Sequence, residues 1–150
     1  MSDSPEILVL NGPNLNMLGV REPDIYGYET LADIEDLCND RARSLGLTID
    51  FRQSNFEGEL VTIIQKSRDT AAGIIINGAG YTHTSVAILD ALRISELPVI
   101  ELHLSNIHAR EAFRHKSYIA QAAAGIICGF GAHGYVLAID AMARLIECAD

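Results

Sequence analysis

The segment that follows the first apolar run of the chain has the residue types of a binding loop. Residues 11–27 include three asparagines, Arg21 and Tyr26, with glycines and prolines between them. The apolar run itself, residues 7–10, is short, which predicts a strand buried on both faces. The segment is too long for an ordinary connection in an α/β unit, and long structured loops at strand ends bind ligands or act as lids. We therefore predict an active-site loop here.

A glutamate and a histidine stand two positions apart in another strand-like run, residues 98–103. Side chains at this spacing share one face of a strand, so Glu101 and His103 should lie side by side. A carboxylate beside an imidazole fixes its tautomer and favours the protonated form, which suits a general acid. The alternative is an ordinary surface pair at a strand end, and the polar residues that follow favour the general acid.

His103 has a competing use as a metal ligand, together with His108 and His115. Their spacing matches no common metal motif, so we predict no metal site. The turns at residues 12–14 and 80–85 match neither a P-loop nor a dinucleotide-binding fingerprint, and a nucleotide site is therefore only weakly indicated.

Two arginines follow the Glu101–His103 run. Arg110 and Arg114 are four apart, so they share one face of a helix predicted over residues 109–120. They would supply the positive charge that an anionic substrate needs. The alternative is that they pair with Glu111 and other acids.

Two more polar residues lie in or beside a predicted helix over residues 84–96. His83 precedes this helix, where it is either a site residue or a simple neighbour of the N-cap. Asp90 lies among apolar residues of the helix and needs a partner or a wet interface. A solvated stripe shared with Arg93 is the alternative for Asp90.

Strand-like and helix-like patterns alternate along the chain. Because repeated βα units build a parallel sheet covered by helices on both faces, we predict one α/β domain over residues 1–150. Five units favour a flavodoxin-like, three-layer α/β/α fold with a five-stranded parallel sheet of order 2-1-3-4-5. The predicted strands are residues 6–11, 47–53, 73–77, 98–103 and 124–129, and the predicted helices are about 30–45, 58–71, 84–96, 109–120 and 134–148.

This topology brings the polar segments together. Ligands bind beyond the carboxyl ends of the strands, near the point where strand order reverses, which here lies between strands one and three. Strand one ends in Asn11 to Asn14, strand three runs into Asn77 and His83, and strand four runs into Ser105. We therefore predict one site at this edge of the sheet.

The composition argues against several classes of function. The net charge of −9 disfavours nucleic acid or an anionic membrane as the partner. No apolar stretch is long enough to span a bilayer and the first residues lack the pattern of a secretory signal, so we expect a cytoplasmic protein. Cys38, Cys128 and Cys148 are widely spaced and odd in number, and we interpret them as buried free thiols.

The last predicted helix is apolar on most of its circumference. Its polar positions are Asp140, Arg144 and Glu147. Because a helix that covers one face of a sheet should keep a polar stripe, we favour a subunit contact over a helix buried within the monomer.

Together these segments resemble the type II 3-dehydroquinate dehydratases. The matching stretches lie in the same order along essentially the whole chain. Gly78 is the one departure, because the family commonly has proline here, and glycine would loosen the turn that orients Asn77. The matching stretches are Leu10-Asn11-Gly12-Pro13-Asn14-Leu15-Asn16, Gly19-x-Arg21-Glu22-Pro23-x-Ile25-Tyr26-Gly27, Asn55-x-Glu57-Gly58, Asn77-x-x-x-Tyr81-Thr82-His83-Thr84-Ser85 and Glu101-Leu102-His103-Leu104-Ser105-Asn106.

The resemblance implies that water is removed from 3-dehydroquinate to give 3-dehydroshikimate through an enolate, with no metal or organic cofactor. Tyr26 would take the proton beside the ketone, and Arg21 would favour its phenolate, because a free tyrosine titrates near about pH 10. His103 would protonate the departing hydroxyl, and Asn14 would stabilise the enolate oxygen. The implied substrate contacts are Asn77, Ser105 and the backbone N–H groups of Leu104 and Ser105 at the carboxylate, and His83, Arg114 and Asp90 at the ring hydroxyls.

The resemblance also implies a homododecamer built from trimers, in which Asp90 reaches the site of a neighbouring subunit. The stretch through Asn14 should be fixed, whereas residues 18–27 form the predicted lid that brings Arg21 and Tyr26 to the substrate. Two alternatives remain. One is a non-catalytic flavodoxin-like module that binds a flavin or nucleotide, and the other is a different cofactor-free lyase acting on a small polyhydroxy acid.

Overall fold

A parallel sheet forms the centre of the structure, a computed structural model. It describes residues 4–20, 22–26 and 28–149, apart from the side chains of Pro23, Tyr26 and Ala149. The strands are Glu6–Asn11 (β1), Thr48–Gln53 (β2), Gly73–Asn77 (β3), Val99–His103 (β4) and Gly125–Cys128 (β5). Their order in the sheet is β2-β1-β3-β4-β5, all parallel, so the predicted flavodoxin-like order is confirmed.

Helices cover both faces of this sheet. They are Pro23–Tyr26 (α1), Leu31–Ser44 (α2), Glu57–Ser67 (α3), Val86–Ser95 (α4) and His133–Ala149 (α5). Helices α2 and α5 pack together on one face, and α3 and α4 pack together on the other. The start of α2 has a capping box, in which Thr30 and Asp33 each accept a hydrogen bond from the backbone N–H of the other.

Strand β1 is buried on both faces because helices cover both sides of the sheet, while β2 and β3 flank its two edges. Ile7 and Val9 face α2 and α5, whereas Leu8 and Leu10 face α3 and α4. The alternation continues to the last residue of the strand, so the buried Asn11 projects to the same face as Val9. Asn11 is paired in register with Asn77, the last residue of β3. Two amide side chains therefore meet at the carboxyl edge of the sheet.

The prediction of a helix over residues 109–120 is wrong. The chain forms three separate 3₁₀ turns instead, at Ile107–Ala109, Ala112–Arg114 and Ile119–Ala122. Ile107 and Ile119 are buried, while Phe113 between them is 64% exposed, so the segment has no continuous apolar stripe to pack an α-helix on the sheet. The spacing of four between Arg110 and Arg114 thus lies on irregular backbone.

The surface features also differ in part from the sequence expectations. All three cysteines are free, but only Cys38 is buried, while Cys128 is half-buried and Cys148 is exposed. Helix α5 buries Tyr135, Ala138, Ile139 and Met142 against the sheet, and its predicted subunit contact stays a prediction. Within the described part of the chain, no helix combines the length and apolar character needed to cross a membrane.

Candidate active site

A cavity of about 260 Å³ lies at the carboxyl ends of β1, β3 and β4, the edge that the topology predicts. Two imidazoles and two guanidinium groups line it, and no carboxylate does among the described residues. The cavity therefore suits an anionic ligand even though the chain has a net charge of −9. The lining residues are Pro13, Asn14, Leu15, Asn77, Ala79, Gly80, His83, His103, Leu104, Ser105, Ile107, Arg110 and Arg114.

Buried hydrogen bonds hold His103 in one orientation. Its Nε2 lies 2.5 Å from Oε2 of Glu101, and the two side chains are 5% and 0% exposed. Ser117 donates its hydroxyl hydrogen to Oε1 of the same carboxylate at 2.7 Å. Because an ionised carboxylate only accepts, Nε2 carries a hydrogen and Nδ1 is the ring nitrogen left for a ligand. Glu101 and His103 thus meet as the strand spacing predicts.

A second imidazole lies beside His103. The His83 and His103 ring centroids are 6.3 Å apart, with the planes inclined by 16°. His83 Nδ1 lies 2.7 Å from the Lys116 carbonyl oxygen, so Nδ1 carries the hydrogen and Nε2 of the neutral ring is an acceptor. Burial lowers the pKa of His83, against the opposing effect of the hydrogen bond to Lys116, and the nearby His103 and Arg114 lower it further. The site therefore holds His83 neutral, suited to accept a hydrogen bond from a hydroxyl.

The lowered pKa of His83 predicts a pH dependence of stability. Its ordinary value is 6.5, so as the pH falls through that value the unfolded chain takes up a proton that the folded chain does not. We expect the free energy of unfolding to fall more steeply from about pH 7 to about pH 5 in the wild type than in His83→Gln. Urea denaturation at several pH values measures this, with the exposed His108→Gln as control. Equal slopes in the wild type and His83→Gln would contradict the assignment.

Asn14 lies in a left-handed turn that the loop after β2 holds in place. Its φ is 70°, which asparagine tolerates better than most residues. The Asn14 backbone N–H donates to Oδ1 of Asn55 at 3.0 Å. Gln53 donates from Nε2 to that same oxygen and to the Gly12 carbonyl, each at 3.1 Å. Asn14 is thus positioned at the cavity by hydrogen bonds within the protein.

The loops after β1 and β3 touch through two glycines. Gly12 donates its N–H to the Asn77 carbonyl at 2.8 Å, and a Cβ on Gly12 would lie 2.5 Å from the Gly78 carbonyl oxygen. Only glycine permits such a close approach of the two backbones. Gly78 itself has φ −73° and ψ −7°, a conformation that proline also adopts. A Cβ at position 78, however, would lie 2.5 Å from Cδ1 of Ile119 and 2.8 Å from Oγ1 of Thr82, so proline would require these side chains to shift.

The contact at Gly12 predicts a large effect of adding one methyl group there. Gly12→Ala should lower the free energy of unfolding by about 1–3 kcal/mol, because the methyl group meets rigid backbone of Gly78. Chemical denaturation measures this change. Gly58→Ala is the matched control, since a Cβ at Gly58 in α3 has no neighbouring atom within 4 Å. A Gly12→Ala protein as stable as the wild type would show that the two loops separate freely.

Arg110 and Arg114 both line the cavity, although they do not share a helix. Arg114 Nε lies 3.0 Å from one Glu111 oxygen, and Arg110 Nε lies 3.7 Å from the other. Arg110 also donates to the Ser105 hydroxyl at 3.4 Å. The two arginines therefore pair with Glu111 and also line the cavity, whereas Glu111 itself is half-exposed and does not line it.

Four predicted site residues are not among the described residues that line the cavity, and one of them, Glu101, is fully buried against His103. Arg21 and the side chain of Tyr26 lie outside the described residues, although the Tyr26 backbone ends α1. Asp90 is described and lies exposed on α4, and it does not line the cavity of its own chain. Its role in a neighbouring subunit's site stays a prediction.

The ends of the predicted lid lie side by side. A Cβ on Gly19 would lie 3.1 Å from the Tyr28 carbonyl oxygen and 3.3 Å from Cγ2 of Thr30. The chain therefore leaves and rejoins the rest of the fold at neighbouring points. Leu18, which is 5% exposed, anchors the entry to it. Closure of this segment over a ligand stays a prediction.

Sequence reasoning missed two residues that support the site. Ser117 contacts Glu101 from the irregular stretch between the 3₁₀ turns Ala112–Arg114 and Ile119–Ala122, and no periodicity there marks it. Tyr135 falls on the apolar circumference of the last predicted helix, yet its hydroxyl hydrogen-bonds Asn11 and Asn77. A tyrosine in a buried helix face is a signal in itself, because its hydroxyl needs a buried partner.

A metal site and a second cavity were the other candidates for a functional site among the described residues. No three histidine, cysteine or acidic side chains are grouped so as to hold a metal ion within the described part of the chain. A larger surface cavity of about 610 Å³ lies between β2 and α3 and contains none of the predicted site residues. It is lined by Glu6, Asp50, Arg52, Glu59, Thr62, Ile63, Lys66, Ser67 and Thr70.

The chain is similar to several known dehydroquinate dehydratases over most of its length. A 3-dehydroquinate dehydratase of Methylobacterium radiotolerans is 60% identical over 139 residues, 93% of each chain. The 3-dehydroquinate dehydratase 2 of Pseudomonas putida is 59% identical over 143 residues, 95% of this chain and 96% of the relative. The crystal structure of type II dehydroquinase from Propionibacterium acnes has a TM-score of 0.90 at 43% identity, covering 94% of this chain and 97% of that one.

The family model described as "Dehydroquinase class II" matches residues 5–143. That range contains the three strand ends, the cavity and the predicted lid. The resemblance seen in the short motifs thus extends to the fold and to almost the entire length of the relatives. This chain belongs to the class II dehydroquinase family.

Proposed function

We propose that this chain is a type II 3-dehydroquinate dehydratase, which removes water from 3-dehydroquinate to give 3-dehydroshikimate through an enolate. The observation that carries the proposal is the buried Glu101–His103 pair at the edge of a cavity lined by basic and amide groups. Family membership favours this enzyme over a non-catalytic flavodoxin-like module. The reaction needs a base, a proton donor and an anion site, and the chain has a candidate for each.

The substrate carboxylate binds at the ends of β3 and β4. Asn77, the Ser105 hydroxyl and the backbone N–H groups of Leu104 and Ser105 form this subsite, with Arg110 beside Ser105. His83 and Arg114 bind the ring hydroxyls. The neutral His83 accepts through Nε2, while the guanidinium of Arg114 only donates. Asp90 of a neighbouring subunit completes the contacts in an assembly that we expect to be a dodecamer of trimers.

The elimination proceeds in two proton transfers. Tyr26, as a phenolate favoured by Arg21, takes the proton on the carbon beside the ketone, and Asn14 stabilises the enolate oxygen. The enolate then expels the hydroxyl as its carbon–oxygen bond breaks, and His103 donates a proton so that water leaves. Glu101 remains ionised and stabilises the imidazolium before that transfer. Tyr26 and His103 then return to their starting protonation states by exchange with solvent.

The positions of the lysines favour an enolate over an imine intermediate. The chain has two lysines, Lys66 and Lys116. Lys66 lies on α3 at the other cavity, and the Lys116 ammonium lies 4.7 Å from the centre of the Tyr118 ring. Neither lines the cavity at the strand ends, whereas a Schiff-base lysine must reach the substrate ketone from a desolvated pocket.

The proposed activity is tested by adding 3-dehydroquinate to the purified protein. Elimination creates a conjugated enone, so ultraviolet absorbance should rise without added metal or cofactor. Residues 1–150 should act as a single catalytic domain, and we expect the enzyme to work in the cytoplasm. A folded protein that leaves 3-dehydroquinate unchanged would refute the dehydratase assignment and favour another lyase of small polyhydroxy acids.

A further inference from the structure

A continuous series of hydrogen bonds runs beneath the cavity, from β2 to the loop after β3. Asn11 donates from Nδ2 to the Arg52 carbonyl at 2.9 Å. Tyr135 donates its hydroxyl hydrogen to Asn11 Oδ1 at 2.6 Å and accepts from Asn77 Nδ2 at 3.2 Å. Asn77 Oδ1 in turn accepts from the Ala79 backbone N–H at 3.2 Å. We refer to Asn11, Tyr135 and Asn77 as the relay.

The two ends of the relay determine the direction of every hydrogen bond within it. The Arg52 carbonyl can only accept, so Asn11 must present Nδ2 to it and Oδ1 to Tyr135. The single hydroxyl hydrogen of Tyr135 is then used on Asn11, and its oxygen can only accept from Asn77. The Ala79 N–H can only donate, which independently requires Asn77 to present Oδ1 on its side. Both constraints select the same orientation of the Asn77 amide.

Burial makes this orientation costly to change. Asn11, Tyr135 and Asn77 are 0%, 1% and 4% exposed, so water cannot replace a lost partner easily. Asn11 and Asn77 are register partners on neighbouring strands, and Tyr135 reaches both from the beginning of α5. Burial also raises the pKa of Tyr135, which keeps its hydroxyl protonated and therefore a donor to Asn11.

We propose that Tyr135 is a positioning residue, which with Asn11 fixes the Asn77 amide so that its second Nδ2 hydrogen is presented to the substrate carboxylate. This inference rests on the proposed function, because it takes the carboxylate subsite at Asn77 as given. Rotation of the amide would replace that donor with an oxygen and repel the carboxylate. The relay thus acts on substrate affinity and leaves the proton-transfer groups Tyr26 and His103 in place.

Tyr135→Phe tests the relay because it removes only the hydroxyl. We expect KM to rise about 10-fold with kcat within about threefold of the wild type, since one well-placed hydrogen bond is worth about a factor of ten. In the Asn77→Ala background the same substitution should raise KM by less than about twofold, because Tyr135 acts through Asn77. Equal losses in both backgrounds would mean a merely structural role and would overturn the proposal, as would an unchanged KM.

Two further variants complete the experiment. Ser67→Ala is the matched control, since it removes another buried hydroxyl, bonded to the Ile64 carbonyl and remote from the cavity. It should keep wild-type KM. If Tyr135→Phe does not fold, Asn11→Leu takes its place, because loss of the Asn11 acceptor frees the tyrosine hydrogen to turn toward Asn77. It should raise KM in the same way and lose its effect in the Asn77→Ala background.

Calorimetry with 3-dehydroshikimate separates this inference from the proposed function, because binding of a product needs no turnover. The dissociation constant should rise about 10-fold in Tyr135→Phe. If the wild type forms no enone from 3-dehydroquinate, the proposed function fails, and the calorimetric comparison alone decides the relay. Equal affinities of the two proteins, or no binding by either, would overturn it.

Discussion

His103→Ala is expected to lower kcat by about 10²- to 10⁴-fold, the range typical of a positioned general acid. The hydroxyl must leave with a proton, and His103 is the cavity-lining group that a buried carboxylate orients through Nε2. The substrate contacts at Asn77 and Arg114 remain, so KM should change far less than kcat. Initial rates of enone formation measure both constants.

Two controls make this result interpretable. His108→Ala removes an exposed histidine of the neighbouring 3₁₀ turn and should keep wild-type kinetics. Because loss of His103 leaves the buried Glu101 without its partner, stability should also fall, and thermal denaturation must show that the variant is folded at the assay temperature. A folded His103→Ala protein with kcat within about tenfold of the wild type would remove His103 from the role of general acid.

Tyr26→Phe is expected to cost about 10²- to 10⁴-fold in kcat while substrate binding is kept. Phenylalanine retains the ring but has no hydroxyl that can ionise, so the proton beside the ketone has no base to take it. The dissociation constant of 3-dehydroquinate can be measured by calorimetry on this variant because its turnover is slow.

Tyr28→Phe is the matched control for that substitution. It removes a hydroxyl two positions away, from a side chain that is 76% exposed, and should have wild-type turnover. Unchanged turnover in Tyr26→Phe would exclude Tyr26 as the base. A loss of binding equal to the loss of turnover would assign Tyr26 to substrate affinity instead.

The strands could be predicted because their burial is visible in the local sequence. Strands β1, β3 and β4 are covered on both faces, so they appear in the sequence as short apolar runs that end abruptly in polar residues. Topology then brings Asn14, Asn77 and His103 to one edge. The segment 109–120 could not be predicted in this way, because only Ile107 and Ile119 near its ends are buried and its turns follow no single period.

The supporting residues of the site depend on contacts that a single sequence does not reveal. Ser117 reaches Glu101 across a gap of 16 residues, and Tyr135 reaches Asn11 across 124. Neither pair follows from strand or helix periodicity, since each requires knowledge of how separate elements pack. The role of Gly12 could be predicted only in part. A glycine at a strand end suggests a turn, whereas its backbone contact with Gly78 follows only from the way the two loops pack.

The central claim is that this chain dehydrates 3-dehydroquinate through an enolate, without a covalent bond to lysine. It is tested most directly by the rate of enone formation after the protein has been incubated with 3-dehydroquinate and borohydride, then freed of both. We predict that the untreated protein forms the enone and that the treated protein keeps its full rate and its original mass. The account would be contradicted if the untreated, folded protein formed no enone. It would also be contradicted if the treated protein lost its activity and carried a reduced substrate adduct on Lys66 or Lys116.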